Sequence, residues 1–166
     1  MRSVRPELVF ATIAVSPAEG VVAAAFWAQQ LYPATVLTLL DVEVSAVDAM
    51  SVWLPTIPEK LQNFIDLYGS HNRIVMIGAL PFMAHELALR GLPNFEMPEK
   101  LAAQSLPERA LRAAGAVGRG AVKMAQDAFD KSQKHQYQAL QNWHVGDPGE
   151  ALADAFALGV IVGLDS

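Results

Sequence analysis

The chain has 166 residues, 52% hydrophobic and 17% charged, the reverse of the balance that keeps a chain disordered, and its length suits one domain. A formal charge of −5 and a pI near 5.3 speak against nucleic acid as a partner, because phosphate binding draws on an excess of Lys and Arg. The absence of cysteine excludes disulfides, thiolate metal sites and a cysteine nucleophile, and fits a reducing, cytoplasmic setting.

Arg2 and Arg5 precede an apolar run and Ala23-Ala24-Ala25 mimics a cleavage site, but Glu7 and Glu19 bracket the run and Pro17 cuts it short, so no signal peptide is expected. Residues 8–15, LVFATIAV, are apolar and rich in β-branched side chains, which predicts a strand covered on both faces. Ser16-Pro17-Ala18-Glu19 then reads as a capping box, with a hydroxyl at the cap, Pro at the first helical position and Glu three residues on; it predicts a helix over 17–31, ended by Pro33. Residues 20–40 carry no charge and are long enough to span a bilayer, but Gln29, Gln30 and Pro33 interrupt them, so a buried segment is expected and a membrane is not.

Residues 35–44, TVLTLLDVEV, predict a second strand, so that 8–44 reads as strand, helix, strand, a βαβ unit of Rossmann-like alternation. Between 45 and 54 a helix capped by Ser45 and a further strand both fit. Thr56 to Glu59 is a second capping-box pattern, predicting a helix over 58–68 that stops at Gly69. A strand over 73–79 and a helix from Pro81 to Arg90 follow. The turn-forming stretch 91–98, GLPNFEMP, divides an α/β body, 1–91, from a mainly helical extension, 98–166, packed on it within one domain.

Beyond Pro107 no proline interrupts the chain as far as Trp143, which predicts one long helix from Glu108, with acid-first pairs such as Glu108 with Arg112 on its solvated side. Gly115, Gly118 and Gly120 signal close packing or a break in it. Asp147 to Glu150 is a third capping box, and 155–164 fits either the helix it opens or a last strand. The fold class expected is α/β: a small, mostly parallel sheet with flanking helices, followed by a helical part containing one long helix. An all-α fold, with the strands as buried helical segments, is the alternative.

No G-x-G-x-x-G, P-loop, G-x-S-x-G or H-E-x-x-H motif is present, so neither a cofactor nor a metal is specified. What remains is positional, because ligands of parallel sheets sit outside the carboxyl ends of the strands. There Asp41 and Glu43, two carboxylates of equal strand parity that could hold a cation or share a proton, join His85, an acid or base near neutrality, as the candidate catalytic set. Ser16 and Pro81 are the candidate ligand-binding positions at the same edge.

Charge is asymmetric. Acids dominate residues 6–70, with Lys60 the one base there, whereas bases dominate 100–134, including Arg112, Arg119 and Lys123. The reading this favours is a non-catalytic interaction or regulatory domain that self-associates, or binds a protein partner, through a basic helix carrying those three residues. The alternative is a small metal-assisted hydrolase, or ligand-binding enzyme, with Asp41, Glu43 and His85 at the strand ends.

Overall fold

The computed structural model describes residues 8–16, 19–30, 35–53, 56–68, 71–77, 95–96, 105–124 and 150–165. Three long strands open it: β1 (Leu8–Ser16), β2 (Val21–Gln30) and β3 (Val36–Ala46). A 3₁₀ turn (Val47–Ala49) and the short helix α1 (Met50–Trp53) lead to α2 (Thr56–Tyr68), then β4 (His71–Ile77) and β5 (Phe95–Glu96). Helix α3 (Leu106–Gly118), strand β6 (Val122–Met124) and helix α4 (Glu150–Asp165) complete the described elements.

The segment read as a helix over 17–31 is the strand β2. Ser16 pairs with Val21, and Gly20, at φ 66°, supplies the positive dihedral that the reversal between them requires. Alanine favours helices, but a strand buried on both faces tolerates it wherever close approach matters, and here β2 lies in mid-sheet. Replacing the expected crossover helix by a strand converts a βαβ unit into a meander. The sheet order is β5-β4-β1-β2-β3-β6, with the two longest ladders, β1 with β2 and β2 with β3, antiparallel. Parallel pairing is confined to β1 with β4 and to the short contacts of β3 with β6 and β4 with β5. The protein is therefore α/β as expected, but its sheet is mixed and mainly antiparallel, and neither the Rossmann-like alternation nor an all-α fold survives.

Helices cover both faces. Against one, α4 and the Ala113 and Ala116 face of α3 pack on Phe10, Ala14, Ala25, Trp27, Leu37 and Leu39. Against the other, Ile57 and Leu61 of α2 pack on Val9, Ile13, Phe26 and Leu40. The alternation of β1 between the two clusters is the period-2 geometry of a strand, with even residues turned to α4 and odd ones to α2. α4 is buried along most of its length and apolar on every side, which is why its end reads equally well as a strand; the helix is what forms.

The expected long helix ends early. Ser105 caps α3, its Oγ accepting the Glu108 N–H, and the other end is closed by Gly120 at φ 74°, whose N–H donates to the Val117 carbonyl while the Ala121 N–H donates to that of Ala116. This is the Schellman arrangement, in which a left-handed residue just past the helix satisfies its last carbonyls. Chain direction then changes into β6, and the Leu37 N–H donates to the Ala121 carbonyl. Of the two readings for 45–54 the helical one fits residues 47–53, but Ser45 and Ala46 end β3 and do not cap a helix. The helix expected over 81–90 and residues 125–149 lie outside the described residues. No helix of the described residues is long and apolar enough to cross a membrane.

Candidate active site

β1, β3 and β4 run the same way through the sheet, so their carboxyl ends share one edge. Asp41 and Glu43 do not lie at that end. β3 continues to Ala46, and the register places Asp41 beside Phe26 and Glu43 beside Ala24, in mid-strand. The ladder shifts between Phe26 and Trp27, with Leu40 as the extra residue of a bulge, so Leu40 and Asp41 both face α2, although they are adjacent. There Lys60 of α2 reaches Asp41 in an ion pair and lies 3.7 Å from Glu43 Oε1, with its ammonium 5.2 Å above the Phe26 ring. The Val42 N–H donates to Asp41 Oδ1 at 2.8 Å. Burial pushes the Glu43 carboxyl above its ordinary range; Lys60 opposes the shift and Asp41 adds to it. Its Oε2 is buried without a hydrogen-bond partner.

Ser16, expected at the edge, is there, but its side chain faces the other side of the sheet. Its Oγ donates to Glu150 Oε2 at 3.2 Å, and the Glu150 N–H donates to Glu19 Oε1 at 3.0 Å. The Glu150 carboxylate thus engages Ser16 while the Glu19 carboxylate engages the Glu150 N–H, both at the carboxyl end of β1 and the first turn of α4. The placement is enforced by three polar contacts between α4 and the sheet: Ser16 to Glu150, Thr12 Oγ1 to the Ala155 carbonyl at 2.7 Å, and Gln29 Nε2 to the Gly163 carbonyl at 2.7 Å. Thr12 also accepts from Trp27 Nε1 at 3.0 Å. One turn into α4, Asp154 is gripped by Arg109 of α3 in a two-point ion pair, Nε to Oδ1 at 2.8 Å and a second guanidinium nitrogen to Oδ2 at 2.9 Å. Among the described residues no three His, Cys, Asp or Glu side chains gather as a metal cage.

Comparison with solved structures places this architecture. The human cytomegalovirus terminase nuclease domain overlays at a TM-score of 0.69 and 10% identity, covering 95% of this chain and 83% of that one. Its manganese-soaked form gives 0.67 and 12%, with the same coverage. The chain shares its fold with a viral nuclease domain. A looser overlay, TM-score 0.48 at 15% identity, covers 93% of this chain and 95% of Thermus thermophilus RuvC. No family model matches the sequence, and no curated protein does.

Two expectations are corrected by this likeness. A non-catalytic domain associating through a long basic helix loses its structural basis, since α3 stops at Gly120, and its fold is one that a nuclease domain uses. Setting nucleic acid aside on net charge fails for the same reason: the fold is compatible with action on it, and total charge does not report the local field at one sheet edge. Arg112, Arg119 and Lys123 are exposed, on α3, its cap and β6. His85 and Pro81 lie outside the described residues.

As sequence, Glu19 and Glu150 carry only helix-capping signals, and neither Asp154 nor Arg109 belongs to a motif. One signal was available: Asp154 interrupts the otherwise apolar run ALADAFALGVIV, and an acid inside a helix buried all round must have a partner. The identity of that partner, 45 residues away, has no sequence signal.

Proposed function

We propose that this chain is a metal-assisted hydrolase of nucleic acid whose site is the carboxyl end of β1, where Ser16, Glu19 and Glu150 meet. What supports the reading is the seating of the Glu150 carboxylate on Ser16 and of the Glu150 N–H on the Glu19 carboxylate at the carboxyl end of β1, in a fold shared with a nuclease domain. Two carboxylates at one strand end repel a phosphodiester, so an anionic substrate needs an intervening cation. Carboxylate and hydroxyl oxygens suit a hard ion such as Mg²⁺ or Mn²⁺, which commonly takes one or two carboxylates and completes its shell with water and substrate phosphate. Glu150 and Glu19 would hold it, and it would supply Lewis-acid charge to the phosphate. Ser16 orients the Glu150 carboxylate by donating to Oε2. Glu19, by accepting the Glu150 N–H, fixes the first turn of α4 against the turn that follows β1.

The test is Mn²⁺ titration of the full chain followed by thermal melting, together with incubation on single- and double-stranded DNA. Ion binding to the folded state alone adds about 2.7 kcal/mol at 100 times Kd, a clear rise in Tm. Expected are a Tm rise and strand scission, both lost in Glu150→Gln. No rise and no scission by the native chain would overturn the reading. A second reading keeps the ion on Asp41 and Glu43, favoured by the unpartnered Glu43 Oε2; in that case Glu43→Gln, not Glu150→Gln, abolishes the Tm rise.

A further inference from the structure

α4 is buried along most of its length and lies on a sheet face of Ala14, Ala23 and Ala25 among larger side chains. Apolar packing is not directional, so by itself it does little to fix where along its axis such a helix rests. A slide of one residue displaces Glu150 by about 1.5 Å, which its 3.2 Å contact with Ser16 does not tolerate. Inside this apolar layer the chain holds a polar relay. The Trp27 indole can only donate, so Thr12 Oγ1 accepts its Nε1–H at 3.0 Å and directs its one hydroxyl proton to the Ala155 carbonyl at 2.7 Å. Thr12 and Trp27 are both at 0% exposure, and Gly159, one turn beyond Ala155, leaves the room that the indole occupies. A buried hydroxyl costs free energy wherever it is unsatisfied, and the next carbonyl lies about 100° around the helix, so the relay closes at one axial setting of α4. Of the three polar contacts between α4 and the sheet, Ser16 belongs to the proposed site and Gln29 holds the far end at Gly163. Thr12 holds the stretch behind Glu150, which Arg109 ties to α3 and not to the sheet.

We propose that Thr12 is a positioning residue of this site: by fixing the axial setting of α4 between Trp27 and Ala155, it sets the Glu150 carboxylate on Ser16 and the Glu150 N–H on Glu19. The inference rests on the reading of Glu150 as part of the site. Thr12 touches neither ion nor substrate and acts through Glu150.

Amide hydrogen exchange of the metal-free full chain, followed by Mn²⁺ titration, tests it on Thr12→Val, which keeps the shape and removes the hydroxyl, and on Thr12→Ser, which keeps the hydroxyl. In Thr12→Val the amide of Glu150, the one bonded to Glu19, is expected to lose protection about tenfold, roughly the net contribution of one hydrogen bond. Amides of the β1–β2 ladder keep their native protection, and Thr12→Ser shows native protection throughout. Mn²⁺ affinity falls about tenfold in Thr12→Val and stays native in Thr12→Ser, as when a group that orients a ligand is removed and then restored. Protection lost equally by Glu150 and the ladder would mark a structural role alone and overturn the proposal. Native protection of Glu150, or native Mn²⁺ affinity, in a folded Thr12→Val overturns it as well. If Thr12→Val does not fold, Thr12→Cys, whose thiol is a weak donor and a weak acceptor, is read in its place by the same outcomes. A native chain that binds no Mn²⁺ sinks the metal reading, and the exchange measurement then decides by itself whether Thr12 positions Glu150.

Discussion

At the scale of single residues, the two faces of the sheet treat their acids differently. Asp154 is matched by a guanidinium with both oxygens engaged, so truncating one partner strands the other; Arg109→Ala is expected to cost about 3–5 kcal/mol, read as a lowered midpoint in urea unfolding. Glu43 is under-matched: its nearest cation, Lys60, lies closer to Asp41, and its second oxygen is buried and unbonded. Its pKa is therefore raised in the folded state, and the folded chain holds a proton that the unfolded chain has released. That contribution to stability is complete below the unfolded pKa, and it is lost as pH rises through the higher folded value. Gln resembles the protonated acid, so Glu43→Gln should leave Tm near native at pH 4 and raise it relative to native by pH 7. A difference in Tm that shrinks or reverses over that interval would show that Lys60 outweighs burial at Glu43.

Among elements, the close approach of α4 to the sheet sets the tolerances. A methyl placed on Gly159 would overlap the indole of Trp27, which is fully buried and fixed through its Nε1 to Thr12. Gly159→Ala is accordingly expected to destabilise by about 1–3 kcal/mol, the usual cost of overpacking, against near-neutrality for Gly118→Ala, where the added methyl meets open space. Thermal melts of the two variants side by side check this. The same residues explain how much of the fold was legible. β1, β3, α2 and β4 follow from apolar runs and capping residues that agree with their tertiary setting. β2 did not, because Ser16, Pro17 and Glu19 imitate a helix start, and the alanines that follow carry helical propensity; it is pairing on both sides by β1 and β3 that makes them a strand. The end of α3 is not legible because Gly115, Gly118 and Gly120 look alike as sequence, and only the positive φ of Gly120 marks it as the stop. Of the candidate site, Ser16 was legible from its place at a strand end, whereas Glu150 and Glu19 act through a contact between chain positions 131 apart.

On the scale of the whole molecule, the face of the sheet that carries the proposed site is finished by the last residues of the chain. Three consecutive N-terminal strands supply Phe10, Trp27, Leu37 and Leu39, and α4 covers them, with Phe10 stacked near Trp27 and Phe156 tilted against it at 5.3 Å between ring centroids. Each large side chain uncovered there forfeits about 1.5–3 kcal/mol of burial, so a few of them equal the whole stability of an ordinary domain. Ser16, Thr12 and Gln29 would also lose the acceptors that α4 provides. A chain ending at residue 149 should therefore keep strand-rich far-UV circular dichroism at most as a loosely packed state, bind a hydrophobic dye such as ANS, and melt without a sharp transition. A sharp, native-like melt of the shortened chain would show instead that β1 to β3 and α2 form a self-sufficient body. The site at the end of β1 would then have to be regarded as assembled on a scaffold that is complete before α4 docks.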